Sequence, residues 1–142
     1  MSCNKCKDKK KFSEENLPYM EDLIVCNSWW DTVDYLAVHG AGNILLKHPD
    51  LVPSYTKRWL KSENIWLNRT AIIFQLNYKT KTDEELLFHC IDKLKHKKEF
   101  FIQKAIGWAL RHYSRTNASF VRHTTDELQL TGLARREALR LM

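Results

Sequence analysis

The chain has 142 residues, carries a net charge of +6, and is 44% hydrophobic with 5 Trp, 5 Tyr and 6 Phe. That apolar and aromatic content excludes intrinsic disorder and suits one domain with a sizeable core. Only 4 Gly and 3 Pro are present, well short of the usual ~12% for the two together, which excludes a many-stranded β fold and favours long helices. No apolar run approaches the ~18 residues of a membrane span, and the lysine-rich first residues contain no apolar signal segment, so an intracellular, non-secreted protein is expected.

In chain order, residues 1–12 form a basic tail, expected to be flexible because little in it can pack. Cys3 and Cys6 have the spacing of half a zinc site, but no second pair stands at matching spacing. Reduced thiols and no metal are therefore expected. A helical domain is expected over 13–142. Ser13, Glu14 and Glu15 signal its first helix, along which Leu17, Met20, Leu23 and Ile24 recur at helical spacing. Ser28, with Asp31 three residues on, is placed to cap a second helix, WWDTVDYLAVHGAGNILL. Pro49 and Pro53 punctuate the next connection, and a short helix through Tyr55 and Trp59 follows. Ser62-Glu63-Asn64 opens IWLNRTAIIFQL, in which Ile65, Ala71, Ile72 and Leu76 form an apolar face. Thr82 and Glu85 make a capping box for DEELLFHCIDKLK. A long helix then spans EFFIQKAIGWALRHYS, and two shorter ones lie around SFVRHTTDELQ and ARREALRLM. No strand is predicted.

Charge is unevenly spread. Residues 12–89 hold seven basic and eleven acidic side chains, whereas residues 90–142 hold eleven basic and five acidic. A basic third of this kind suits a polyanion or simply a solvated helix surface. The helices alternate as pairs, and Asp34, Arg69 and Lys104 stand 35 residues apart, each in the second helix of a pair. Such spacing fits stacked hairpins of the HEAT kind, whose repeats run about 40 residues and whose equivalent helices line one concave surface. Trp30 lies one turn before Asp34, and Trp108 one turn after Lys104. Each also has a plain structural reading: the tryptophans as core, Asp34 as a dipole partner, Arg69 as an ion-pair partner.

The segments SWWDTVDYLA (28–37), ENIWLNRTAIIFQL (63–76) and EFFIQKAIGWALRHYSRTN (99–117), in that order and spacing and continuing to LARREALRLM, resemble the AlkD-like DNA alkylation repair glycosylases. The resemblance covers residues 13–142. It implies an all-α, HEAT-like (ARM-type) helical-repeat solenoid, amino-terminally truncated, since the family's earlier repeats have no counterpart ahead of SWWDTVD. It implies hydrolysis of the N-glycosidic bond of cationic N3- and N7-alkylated purines in double-stranded DNA, with no cofactor and no membrane partner. Position by position, the catalytic carboxylate falls on Asp34, the two lesion-side tryptophans on Trp30 and Trp108, and the backbone-contacting arginine on Arg69. Lys104 is expected at phosphate beside it. Where the family tends to have a second basic residue, this chain has Asn68. The resemblance also implies a shallow concave site that leaves the lesion stacked.

The expected chemistry follows from the substrate. A cationic alkylpurine departs as a neutral base without a general acid, so one carboxylate suffices where O-glycosidases use two. Absent repeats would leave Leu17, Met20, Leu23 and Ile24 as an exposed patch and a route to self-association. They also make a catalytically inactive module that binds DNA or protein the alternative reading.

Overall fold

A computed structural model describes residues 16–27 and 29–142, and every regular element among them is helical. The tail, Cys3, Cys6, residues 13–15 and the expected cap Ser28 lie outside the described residues.

Helix α1 (Leu17–Asn27) precedes α2 (Trp30–Tyr35), which continues through a π-helical segment, Leu36–Ala41, into α3 (Gly42–Lys47). The backbone stays right-handed helical at both junctions, Leu36 and Gly42. One unbroken α-helix was the expectation for this stretch. The π segment widens one turn and shifts the phase of the helix faces. Trp30 and Asp34 then face one cleft, while Ala41, Ile44 and Leu45 enter the core. Gly42 permits the close approach that follows, because a Cβ there would stand 2.5 Å from the Phe74 carbonyl oxygen.

A 3-10 turn, Pro49–Leu51, leads into α4 (Val52–Lys61), which buries Thr56 and Trp59. Helix α5 (Ile65–Ile73) opens at Asn64, whose side chain accepts the N–H groups of Trp66 and Leu67 at 2.9 and 3.3 Å. Residues 68–73 are buried without exception, so α5 is the central helix. Ala71 and Phe74 pack toward α1 and α4, while Ile72 and Ile73 pack toward the helices that follow.

Helix α6 (Glu84–Leu94) begins one residue later than the Thr82–Glu85 box requires. Asp83 is the cap, accepting the Leu86 N–H at 3.1 Å, while the Thr82 N–H closes the preceding 3-10 turn, Lys79–Lys81, on the Lys79 carbonyl. Glu84 and Glu85 both lie in the first turn, where the helix dipole favours them. Helix α7 (Phe100–Tyr113), α8 (Ala118–Glu127, capped by Asn117) and α9 (Gly132–Ala138) complete the chain. Ile102, Ile106 and Leu110 of α7 form one core with Leu87, Ile91, Leu94, Val121 and Ala134.

The patch expected on α1 is corrected. Leu17 and Met20 are buried among Ala41, Ile44, Trp59 and Phe74, Ile24 is buried as well, and Leu23 is half-buried. Positions 17, 20 and 24 share one helix face, and that face turns inward. Glu21 fixes it there. One carboxylate oxygen accepts the Trp59 indole N–H at 2.7 Å, and the other accepts from Arg58 at 2.6 Å. No described helix is long and apolar enough to cross a membrane.

Candidate functional site

Helix α5 packs between α2 and α7, and a cleft of about 470 Å³ opens where the three meet. Trp30 and Asp34 line it from α2, Arg69 from α5, and Phe100, Phe101, Lys104, Trp108 and Arg111 from α7. All five residues singled out in the sequence therefore converge. The 35-residue spacing brings Asp34 and Arg69 into contact and puts Lys104 on the same wall.

Arg69 is 4% exposed. Its Nε and one terminal nitrogen donate to the two oxygens of Asp34 at 2.7 and 2.9 Å, and the other terminal nitrogen donates to the Phe101 carbonyl at 2.6 Å. The guanidinium lies 5.7 Å from the Trp108 ring centroid and 5.8 Å from that of Phe101. Expected against the DNA backbone, Arg69 is turned into the protein instead, bonded to Asp34 and held between two aromatic rings. The physical reason is its helix: α5 is buried, so a cation there needs an internal anion. The Asp34 side chain is 15% exposed, and the paired, planar clamp fixes its orientation at the cleft.

Trp30 is 45% exposed at the cleft wall. Trp108 is half-buried, packs on the α7 core and shares its ring with Arg69. Lys104 approaches Glu137 of α9 at 3.6 Å, and Arg111 donates to the same carboxylate at 2.5 Å. Asn68 is fully buried and braces the end of α4: its amide donates to the Trp59 and Ser62 carbonyls, and its oxygen accepts from Lys97 at 2.7 Å.

Sequence reasoning missed Phe100, Phe101, Arg111 and Glu137. For two of them, Phe101 and Arg111, a signal existed: Phe101, Lys104, Trp108 and Arg111 stand three or four residues apart and make one helix face. Glu137 lies in the basic segment ARREALRLM, where nothing local marks it as the partner of cations on another helix. Among the described residues no three His, Cys, Asp or Glu side chains gather as metal ligands.

The family model described as "DNA alkylation repair enzyme" matches residues 2–142. A solved structure described as a "Predicted DNA alkylation repair enzyme from Enterococcus faecalis" is similar at 36% identity with a TM-score of 0.79. The alignment covers 89% of this chain, which spans 60% of the length of that one. No curated protein matches.

Proposed function

Because the chain belongs to the family of DNA alkylation repair enzymes, we propose that it hydrolyses the N-glycosidic bond of cationic N3- and N7-alkylated purines in duplex DNA. Water attacks the anomeric carbon, the C–N bond breaks with its electron pair going to the purine, and the base leaves neutral. The proton of the attacking water passes to solvent. An abasic site remains.

Asp34 is the catalytic carboxylate. As the bond lengthens, positive charge grows on the deoxyribose, and a fixed anion beside it stabilises that charge without reorganising. Either oxygen, although bonded to Arg69, has a second lone pair with which to orient the water. Trp30 offers an open indole face to the cationic sugar or base, a contact worth about 0.5–2 kcal/mol. Trp108 shares its ring between Arg69 and the cleft. Lys104 contacts phosphate, and Arg69 acts through Asp34 as its positioning residue.

The architecture in this reading is a HEAT-like helical-repeat domain over residues 13–142 behind a basic tail, 1–12. Its best support is that α2, α5 and α7 follow one another at equal sequence spacing and each contributes to the same cleft.

The observation that carries the catalytic reading is the doubly bonded Asp34 lining one open cleft together with Trp30 and Trp108. Incubation with methylated duplex DNA, followed by chromatography of the released bases, tests it. Free 7-methylguanine or 3-methyladenine with matching abasic sites is the expected result. Duplex binding with no base released would contradict it and support a catalytically inactive module that binds DNA or protein.

A further inference from the structure

Three cations meet at one oxygen beside the cleft. The Oε1 atom of Glu137 accepts from Arg111 at 2.5 Å and lies 3.6 Å from the Lys104 ammonium and 3.7 Å from the Arg140 guanidinium. Glu137 cannot drift from this point. Helix α9 is packed so closely on α7 that a Cβ at Gly107 would collide with the Cβ of Glu137. The carboxylate is mostly buried, whereas the three cations are more exposed than it is, Arg140 most of all. One negative charge thus lies beneath three positive ones. The cluster keeps a surplus of two positive charges on its solvent side, and Lys104 and Arg111 carry that surplus into the cleft that holds Asp34.

We propose that Lys104, Arg111 and Arg140 form a binding site for a single DNA phosphodiester, with Glu137 as the residue that positions them. The inference rests on the reading of this cleft as a DNA site. Cations this close repel one another and splay apart unless an anion gathers them. Gathered on one oxygen, they are also gathered for one phosphate, which presents its own oxygens to the same small region. The phosphate joins the cluster without displacing Glu137, because two positive charges remain uncompensated. The site fixes the register of the duplex relative to Asp34 and reads no base.

Salt titration of binding to unmodified duplex tests the proposal. Each phosphate neutralised contributes about 0.9 to the slope of log affinity against log salt. Combined K104Q, R111Q and R140Q substitution is expected to lower that slope by about 0.9, the value for one phosphate. A fall of about 2.7 would mean three separate contacts, and no change would mean none; either overturns the proposal. R140Q alters an exposed side chain, so it reports even if the triple variant folds poorly. It is expected to weaken binding and to lower the salt slope by part of that ~0.9; an unchanged affinity overturns the part given to Arg140.

Glu137→Ala makes the chain more positive, so simple attraction would tighten DNA binding. A positioning role requires the opposite: weaker binding in E137A and also in E137Q, whose neutral amide keeps an acceptor for Arg111 but not the anion that gathers the three cations. Binding closer to wild type is expected in E137D, which keeps the charge. Tighter binding by E137A overturns the role of Glu137. A wild-type protein that holds no duplex overturns both this proposal and the DNA reading beneath it. A wild-type protein that releases methylated bases, beside a triple variant of unchanged slope, overturns this proposal alone.

Discussion

Arg69 and Asp34 face each other as a two-pronged pair, with nitrogen–oxygen distances of 2.7 and 2.9 Å, on helices whose sequences are 35 residues apart. The arginine is the more buried partner, and its third bond, to the Phe101 carbonyl, ties the pair to the start of α7. This one guanidinium therefore links all three helices that form the cleft. Arg69→Met is expected to leave Asp34 without its partner and to cost up to about 3 kcal/mol, the scale of breaking a largely buried ion pair. Arg69→Lys restores charge but not the planar fork, so thermal melts are expected to improve while the excision rate stays low. Equal recovery of both by lysine would reduce Arg69 to a charge partner alone.

The two tryptophans are expected to separate in their costs. Trp30 is 45% exposed, so Trp30→Ala should leave the melting temperature nearly unchanged while slowing excision. Trp108 packs on the core and on Arg69, so Trp108→Ala should also lose about 2 kcal/mol, less than the about 3–5 kcal/mol of a fully buried Trp. Normal excision per folded molecule in both variants would make the indoles structural.

Glu21 supplies a stability test remote from the cleft. Glu21→Ala leaves the indole N–H of fully buried Trp59 without its acceptor, an omission worth about 1–3 kcal/mol. For a chain of this size that is a fall of about 3–10 °C in melting temperature. Calorimetry showing no fall would mean that α1 is not docked through this contact.

Acid sensitivity is expected from His112. Burial first, then the charges of Arg115, Lys79 and Arg111, hold its imidazole below the ordinary 6.5. The unfolded chain therefore takes up this proton before the folded one does. Stability from this group is complete above pH 6.5 and is lost as pH falls from there towards the lower folded value. Melting temperatures between pH 8 and pH 5 should show the drop, and His112→Gln should make it shallower. A drop of the same size in the variant would assign the sensitivity elsewhere.

The legible parts of this protein were those set by local chemistry. Asn64, with the periodic run behind it, announced α5, and the shortage of Gly and Pro announced helices throughout. The Thr82 cap missed by one residue because Asp83, an equally good cap, stands next to it. The π segment was not legible, because LAVHGA continues the helical pattern on either side of it. Equal spacing foretold that Asp34, Arg69 and Lys104 would meet. It could not foretell that Arg69 turns inward, because that direction follows from the burial of α5 on every side. Glu137 was invisible for a similar reason: its partners Arg111 and Lys104 lie 26 and 33 residues away on another helix.

The most direct test of the account is the single-turnover rate of 7-methylguanine release from methylated duplex by the wild-type protein and by Asp34→Asn. The asparagine keeps the shape and one acceptor for Arg69 but removes the anion, so rates are compared per folded molecule. A fall of about 10²-fold or more is expected, the scale of losing one preorganised electrostatic group, with duplex affinity little changed. Release by Asp34→Asn at the wild-type rate would contradict the assignment of Asp34 as the catalytic carboxylate.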